Sequence, residues 1–241
     1  MKAAICTKYG PPDNVTLSEV PTPVPASREI LVRIHATTVS SGDCRMRGAN
    51  FPPGFAPVAR LALGWSGPRQ PILGTECAGT VVAVGPQVSR YRAGDEVFAF
   101  TGARFGCHAE YVALPEDGAI AAKPASLSFE EAAALCFGGT TALHFLRDRA
   151  RVARGERVLV NGAGGSVGIA AVQLARHLGA HVTAVCSLGK ANRVASLGAQ
   201  ATIDYGTTDF AVLGEHWDVI VDTVGNVTPR RVRSEIGRAH V

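Results

Sequence analysis

One stretch decides the fold of this 241-residue chain: Val158-Leu159-Val160-Asn161-Gly162-Ala163-Gly164-Gly165-Ser166-Val167-Gly168. Its apolar start predicts a buried parallel strand, and the glycines that follow predict a tight turn. Beyond the turn, apolar residues recur at a spacing that would let one side of a helix face a sheet. These apolar residues are Val167, Val172, Leu174 and Leu178. The stretch therefore predicts a strand, a turn and a helix.

The glycines of this turn suit an anion. A side chain would hold a pyrophosphate away from the backbone amides at the helix start, where the helix dipole favours negative charge. Gly162, Gly164 and Gly168 come close to the spacing of the dinucleotide fingerprint, and a predicted strand and helix flank them. We therefore predict a dinucleotide site; the alternative is a structural glycine-rich turn. The loop residues assigned to this site are Gly162, Gly164, Gly165, Ser166, Val167 and Gly168.

Composition limits the class of protein. Charged residues make up 18% of the chain and hydrophobic residues 46%, a balance typical of globular proteins. The net charge of +4 comes from scattered residues, so solvated surfaces are favoured over a nucleic-acid interface. The six cysteines form no C-x-x-C pair, and reduced thiols are expected. No run reaches about 18 apolar residues, so we expect no signal peptide, no membrane span and a cytoplasmic location.

Short β-type segments punctuated by glycine and proline fill the first half of the chain, from Met1 to about Pro124. Such spacing favours a small β-barrel-like domain. Between Phe51 and Pro71 lies an apolar insertion broken by prolines, either a lid over a substrate or an ordinary packed loop. The predicted strands are Lys2–Thr7, Thr16–Val20, Ile30–Ala36, Thr80–Val84, Glu96–Phe100 and Tyr111–Leu114.

Helix and strand signals alternate in the second half, which indicates right-handed βαβ units and a parallel sheet. Ser128 and Glu131 form a capping box that opens a helix over Glu130–Leu135. We expect residues 138–141, which begin with two glycines, to interrupt this helix before it resumes over Ala142–Arg149. The other predicted elements are the strands Val158–Val160, His181–Cys186, Ala201–Ile203 and Val219–Val221, and the helix Lys190–Leu197.

Together these segments resemble the medium-chain dehydrogenase/reductase superfamily, and most of all its zinc-independent, quinone-oxidoreductase-like branch. The resemblance implies an α/β fold: a GroES-like β-rich catalytic domain over residues 1–126, then an incomplete Rossmann dinucleotide-binding domain over 127–234. It also implies an active site in the cleft between the domains and a homodimer for the full-length parent. The motifs, in family order, are Val39-Ser40-Ser41-Gly42-Asp43, Gly74-Thr75-Glu76-Cys77-Ala78-Gly79, Ala109-Glu110-Tyr111, Gly139-Thr140-Thr141-Ala142, the glycine loop, Leu197-Gly198-Ala199, Ile203-Asp204-Tyr205 and Asp222-Thr223-Val224-Gly225.

The zinc ligands of the family are largely missing. By the resemblance, the Cys, His and Cys ligands of the zinc enzymes would fall at Ser40, Thr75 and Cys136, and the lobe of four closely spaced cysteines is absent. One thiol cannot hold a tetrahedral zinc ion. We therefore expect no metal, and we interpret Cys136 as a small buried residue.

The residues after the second predicted strand of the parallel sheet indicate the cofactor. An NAD site places an acidic residue about 20 residues beyond the glycines, yet no Asp or Glu occurs between Glu156 and Asp204. Ser187 and Lys190 offer a hydroxyl and an ammonium that suit a 2′-phosphate. The prediction is NADPH; the alternative is that Lys190 merely begins a solvated helix. By the resemblance, the cofactor contacts outside the loop are Thr140, Ser187, Lys190 and Tyr205.

Hydride transfer without a metal needs hydrogen-bond donors at the substrate oxygen, where charge develops. By the resemblance, Ser40 stands where quinone-reductase relatives carry an asparagine near the nicotinamide, and Arg45 where some relatives carry a substrate-side tyrosine. We assign both as candidate catalytic residues. The alternatives are a local backbone cap for Ser40 and an exposed, salt-bridging role for Arg45. For Asp43 and Glu76 a structural role is favoured, in which they orient loops through backbone amides.

The function expected is NADPH-dependent hydride transfer to a quinone or α,β-unsaturated carbonyl compound without zinc. The alternatives are an aldehyde or alcohol dehydrogenase of the same superfamily and a low-turnover, NADPH-binding regulatory protein. Family members continue well beyond Asp222-Thr223-Val224-Gly225. We therefore expect a truncated gene whose residues 235–241, which match a translated sequencing adapter, are a nonbiological tail. The chain as given is expected to be poorly stable and inactive.

Overall fold

The structure, a computed structural model, describes residues 1–51, 54, 56–228 and 230–240. The chain divides into two compact units, residues 1–136 and 137–241. One helix, Phe129–Leu143, begins in the first unit and ends in the second. The domain boundary at residues 126 and 127, and the nonbiological origin of residues 235–241, stay predictions.

The first unit is built mainly from antiparallel strands. Its elements are β1 Lys2–Cys6, β2 Val15–Glu19, β3 Glu29–Thr37, α1 Ser41–Gly48, α2 Ala56–Leu63, β4 Glu76–Val84, β5 Glu96–Phe100, β6 Tyr111–Pro115 and β7 Ile120–Ala122, with 3-10 turns at Pro12–Asn14 and Gly102–Arg104. One two-stranded sheet has the order β1-β2, and a five-stranded sheet has the order β6-β3-β4-β5-β7. All six predicted strands are confirmed, and β7 and two helices add to them.

The second unit is built around a parallel sheet. Its elements are α3 Phe129–Leu143, which starts in the first unit, a π-helical turn His144–Arg149, β8 Arg157–Asn161, α4 Ser166–His177, β9 His181–Cys186, α5 Leu188–Ser196, β10 Ala201–Asp204, a 3-10 turn Phe210–Val212, β11 Trp217–Asp222 and β12 Ile236–His240. The strand order of the sheet is β10-β9-β8-β11-β12. The predicted alternation of strands and helices around a parallel sheet is therefore confirmed.

Both faces of this parallel sheet are covered, as sheets of this kind require. On one face Val158 and Val160 pack with Val172 of α4. On the other face Leu159 packs with Phe210 and with other apolar residues. The alternating directions of side chains along β8 thus explain why every residue of its apolar run is buried.

The expected interruption of α3 at residues 138–141 is wrong, because the helix runs unbroken from Phe129 to Leu143. Its predicted start is confirmed: Ser128 donates its amide to Glu131 at 2.9 Å, and the Glu131 amide donates to Ser128 Oγ at 3.1 Å. Gly138 is buried, and a Cβ there would lie 2.6 Å from Ser166 Oγ. Glycine at this position lets α3 lie against the start of α4, which offsets its cost of about 1 kcal/mol in helix propensity.

Part of the predicted insertion between Phe51 and Pro71 forms α2. Side chains of Val58, Leu61 and Trp65 are exposed here, while Leu63 packs into a small cluster. Pro52, Pro53 and Phe55 lie outside the described residues, and the lid and the ordinary loop both stay predictions. Across the described ranges, none of the helices combines the length and the apolar character that a membrane crossing demands.

Candidate functional site

The sheet of the second unit reverses its strand order between β8 and β11. From β8 the chain continues outward to β9 and β10, and it then returns to form β11 on the other side of β8. Asn161 and Asp222, which end these two strands, are register partners. In open α/β sheets, ligands bind in the crevice at the carboxyl ends of the strands where such a reversal occurs.

The glycine loop joins β8 to α4 at this reversal, and two of its positions, Gly162 and Gly168, have no room for a Cβ. Gly162 has φ of +79°, and a Cβ there would lie 2.4 Å from Thr223 Oγ1. A Cβ at Gly168 would lie 2.2 Å from the Gly162 carbonyl oxygen. These contacts confine both positions to glycine.

Backbone amides at the start of α4 face no capping side chain. Gly165 is the N-cap residue, and no side chain among the described residues caps this helix with a hydrogen bond. The first amides of a helix lack partners within it, and the helix dipole adds positive potential there. Ser166 is exposed, whereas Val167 packs on the core of the unit. The start of α4 can therefore accept an anion.

Lys190 of α5 reaches back to the glycine loop. Its Nζ donates to the Gly164 carbonyl oxygen at 3.1 Å, and a Cβ at Gly164 would lie 2.4 Å from Lys190 Cδ. Ser187 is the N-cap residue of α5, and its side chain makes no cap hydrogen bond. An ammonium and a hydroxyl thus follow β9, and the ammonium lies against the loop.

A cavity of about 500 Å³ lies on the second unit beside the end of β8. It brings together two predicted cofactor residues, Gly162 and Tyr205, with polar and apolar residues that the sequence analysis did not assign. One wall of the cavity contains an ion pair, in which Arg231 Nη2 donates to Asp209 Oδ2 at 2.7 Å. This bond, with one from the Ala211 amide, lowers the pKa of Asp209. The lining residues are Asn161, Gly162, Val185, Tyr205, Thr208, Asp209, Phe210, Val224, Asn226 and Arg231.

Sequence signals for the missed residues differ. Val224 is part of the family motif Asp222-Thr223-Val224-Gly225, and Asn226 is the first residue after that motif. Assigning this motif and its next residue to the cofactor site would therefore have found both. Asp209 and Arg231 have no shared spacing that predicts their pairing. Thr140, which the resemblance assigned to the cofactor, is exposed on α3 and donates to the Phe137 carbonyl oxygen at 3.4 Å. Its role in the cofactor site stays a prediction.

Ser40 in the first unit forms a reciprocal capping box with Asp43 at the start of α1. Ser40 Oγ donates to Asp43 Oδ2 at 2.7 Å, and the Asp43 amide donates back to Ser40 Oγ at 3.2 Å. This local cap is the alternative role that was predicted for Ser40 from the sequence. Asp43 is buried and also accepts from the Gly74 amide at 3.1 Å, so its expected structural role is confirmed. Arg45 is exposed on α1.

Of the three positions that hold zinc ligands in the family, only Cys136 carries a residue type that zinc takes as a ligand. Cys136 is buried, and its thiol donates to the Ala99 carbonyl oxygen at 3.4 Å. Burial, with Glu76 and Cys107 nearby, raises the pKa of Cys136 to about 12. Among the residues that the structure describes, no three or more His, Cys, Asp or Glu side chains are grouped to hold a metal ion.

Thiol alkylation provides a test of this burial. We expect iodoacetamide at about pH 8 to label Cys44, which is exposed, at least ~10 times faster than buried Cys136, because reaction needs an accessible thiolate. Peptide mass spectrometry measures both rates, and the urea-unfolded chain is the control in which the two rates should converge. Equal rates in the folded chain would contradict the burial of Cys136.

Both parts of the chain match known protein families. Residues 26–124 match the alcohol dehydrogenase GroES-like domain family, and residues 166–233 match the zinc-binding dehydrogenase family. The chain is 37% identical to the 2-methylene-furan-3-one reductase of Solanum lycopersicum, over 93% of this chain and 57% of that protein. It is 34% identical to the chloroplastic NADPH-dependent alkenal/one oxidoreductase of Arabidopsis thaliana, over 93% of this chain and 58% of that protein.

A solved structure is also similar: the quinone oxidoreductase of Escherichia coli complexed with NADPH, with a TM-score of 0.83 and 30% identity, over 98% of this chain and 70% of that one. The chain therefore belongs to the medium-chain dehydrogenase/reductase superfamily, in its quinone-oxidoreductase-like branch. Its first part is a GroES-like domain and its second part is Rossmann-like, as predicted. The chain spans 57% and 58% of the length of the two plant relatives.

Proposed function

We propose that this chain supplies the NADPH site and the GroES-like domain of an oxidoreductase that reduces a quinone or an α,β-unsaturated carbonyl compound without zinc. One observation carries the cofactor part of the proposal: Lys190 holds its ammonium 3.1 Å from the Gly164 carbonyl oxygen of the glycine loop. No carboxylate occurs between Glu156 and Asp204 to repel a second phosphate. The names of the plant and bacterial relatives above, an NADPH-dependent alkenal/one oxidoreductase and a quinone oxidoreductase complexed with NADPH, support the same cofactor and the same classes of substrate.

Three groups of residues in the second unit fit three parts of a dinucleotide. Amides at the start of α4 would bind the pyrophosphate, since glycines leave the backbone bare there. Lys190 and Ser187 would bind the 2′-phosphate through charge-assisted hydrogen bonds. The cavity lined by Tyr205 and Val224 would take the adenosine portion. When bound, NADPH supplies the hydride that the reaction needs.

In the first unit, we assign Ser40 the role of donating a hydrogen bond to the substrate oxygen, where negative charge develops. In this conformation the Ser40 hydroxyl donates its hydrogen bond to Asp43, so the side chain must rotate before it can donate to a substrate oxygen. The Ser40 amide also donates to Asp43, at 2.8 Å, and this bond can hold α1 in place during the rotation. Arg45 is exposed and is assigned to the substrate side as a second donor.

Zinc independence is proposed from the side chains at the three positions where the zinc enzymes of the family carry metal ligands. Two of the three family ligand positions carry hydroxyls, at Ser40 and Thr75, and structural or catalytic zinc takes Cys, His and carboxylate ligands. The remaining ligand position, Cys136, supplies one thiol, and a single thiol cannot hold a tetrahedral zinc ion. The rival functions are an aldehyde or alcohol dehydrogenase and a regulatory protein that binds NADPH with little turnover.

Turnover and binding test the proposal together. We expect the complete product of the source gene to oxidise NADPH with a quinone or an enone, to prefer NADPH over NADH, and to keep its activity in a zinc chelator. Isothermal titration of the present chain with both nucleotides provides the binding arm. NADH preference would refute the cofactor assignment, loss of activity in the chelator would refute zinc independence, and binding without turnover on quinones, enones and aldehydes would favour the regulatory rival.

Two further proposals concern the protein as a whole. We propose a cytoplasmic location, which cell fractionation tests: recovery of the native product in an organelle or membrane fraction would refute it. We also propose a homodimer for the complete gene product. Sedimentation equilibrium tests the oligomer, and a mass equal to that of one chain would refute the dimer.

A further inference from the structure

The carboxylate of Asp222 gathers the loop that follows β11. Its Oδ1 accepts from the amides of Val224 and Gly225 at 3.0 and 3.1 Å, and its Oδ2 accepts from the Val227 amide at 3.0 Å. Three amides from a five-residue segment thus converge on one side chain. Such hydrogen bonds to a charged acceptor are stronger than those between neutral groups.

Asn161 ties the same carboxylate to the glycine loop. Its side-chain amide donates to Asp222 Oδ1 at 2.9 Å and to Asn226 Oδ1 at 2.8 Å. Its backbone carbonyl accepts from the Thr223 amide at 3.1 Å and from Thr223 Oγ1 at 2.9 Å. Asn161 is buried, and its side-chain amide hydrogens are both used within the second unit. The ends of β8 and β11 are therefore joined by side chains as well as by the sheet.

This network leaves the two loops little freedom to move apart or together. Gly162 already lies so close to Thr223 and Val224 that it has no room for a Cβ. Gly162 and Val224 both line the cavity beside β8. A change in the hydrogen bonds of Asp222 should therefore change the distance between the parts of the cavity wall that Gly162 and Val224 form.

We infer that Asp222 and Asn161 are a positioning pair that sets the distance between the glycine loop and the loop of residues 223–227, and thereby the affinity for the dinucleotide. This inference rests on the proposed function. Neither residue needs to touch a reacting atom, because Asp222 acts through the backbone amides of the loop and Asn161 acts through the side chains of Asp222 and Asn226. Their effect is therefore on nucleotide binding and not on the chemical step.

Electrostatic repulsion between Asp222 and a bound nucleotide would predict the opposite effect to the one expected from positioning. Burial raises the pKa of Asp222, but hydrogen bonds from Val224, Val227, Gly225 and Asn161 outweigh burial and leave the pKa below its usual value. The group is therefore an anion at neutral pH, close to a site proposed for a polyanion. If repulsion dominated, neutralising Asp222 would tighten NADPH binding; if positioning dominates, it would weaken binding.

The substitution Asp222→Asn separates these two cases. It preserves size, removes the charge and replaces one acceptor with a donor that faces backbone amides. We expect the dissociation constant for NADPH to rise about tenfold or more, because bonds to a charged acceptor are lost. We expect kcat of the complete gene product at saturating NADPH to stay within about twofold, since the chemistry is not touched.

Asp218→Asn is the matched control. Asp218 lies on the same strand, and its Oδ2 accepts from the Arg157 amide at 2.8 Å at the opposite end of the β8–β11 pair. A purely structural role predicts that both variants lower the unfolding midpoint and leave the dissociation constant unchanged. Thr223→Val is a second variant of nearly equal volume. It removes the hydroxyl that donates to the carbonyl oxygens of Asn161, at 2.9 Å, and Gly162, at 3.3 Å, and we expect it to weaken binding about threefold.

Each outcome decides between the explanations. Weaker NADPH binding in Asp222→Asn and Thr223→Val, with Asp218→Asn unchanged, supports the positioning pair. Unchanged or tighter binding in Asp222→Asn, with a wild-type chain that binds NADPH, overturns the inference alone. If Asp222→Asn does not fold, unchanged binding in Thr223→Val overturns it instead. A wild-type chain that binds neither NADPH nor NADH overturns both the inference and the proposed function.

Discussion

Lys190→Glu is expected to weaken NADPH binding by roughly 100-fold, because a charge-assisted hydrogen bond is replaced by repulsion between a carboxylate and a 2′-phosphate. NADH lacks this phosphate, so its binding should change by no more than about threefold. The substitution also removes the bond from Lys190 to the Gly164 carbonyl oxygen. Any small effect on NADH reports on that loop contact.

Titration calorimetry with the two nucleotides measures this selectivity. Arg193→Glu is the matched control, since Arg193 is exposed on the same helix and its reversal changes the net charge equally. We expect both dissociation constants of the control to lie within about twofold of wild type at physiological ionic strength, where exposed charges are screened. Equal losses for NADPH and NADH in Lys190→Glu would show that the lysine supports the loop and does not select the phosphate.

Gly168→Ala is expected to lower the free energy of unfolding by roughly 3 kcal/mol, the upper part of the range for overpacked sites. The added Cβ would meet the Gly162 carbonyl oxygen at 2.2 Å and Ala163 Cα at 2.7 Å. Both are backbone atoms, so relief requires α4 to move away from the end of β8. Because that movement displaces the amides at the helix start, NADPH binding should weaken by more than about tenfold.

Urea unfolding and nucleotide titration test the two parts of this result separately. Gly189→Ala is the control, because a Cβ there would lie more than 4 Å from all described atoms other than its chain neighbours and the backbone of its own helix. Alanine there should raise the free energy of unfolding by a few tenths of a kcal/mol, up to about 1 kcal/mol, through helix propensity. A Gly168→Ala chain as stable as wild type would show that α4 approaches β8 less closely than the structure describes.

Local patterns predicted most strands, because alternation and apolar runs record which side of a strand is buried. β3, β5 and β9 are found where the sequence predicted them. The helix α1 was missed although a signal existed: Ser40 and Asp43 stand three residues apart, the spacing of a capping box. The interruption of α3 was predicted wrongly because propensity ignores what Gly138 packs against.

Distant contacts explain why only part of the candidate site was predicted. The glycine loop and Lys190 carry recognisable residue types at known spacings, so their roles can be predicted from the chain alone. The bond between Asn161 and Asp222 spans 61 residues, and nothing in either local sequence indicates it. The pairing of Asp209 with Arg231 across the cavity wall depends in the same way on how the chain folds.

Gly138 has a consequence for protein engineering. Replacing helical glycines with alanine is a routine way to raise thermal stability, and a glycine in the middle of α3 is an obvious choice for such a change. Here the new methyl group would meet Ser166 at the start of α4, the place where an anion would be bound. A library designed to make this chain more heat-resistant should therefore keep position 138 fixed, even though it lies outside every recognised nucleotide-binding motif.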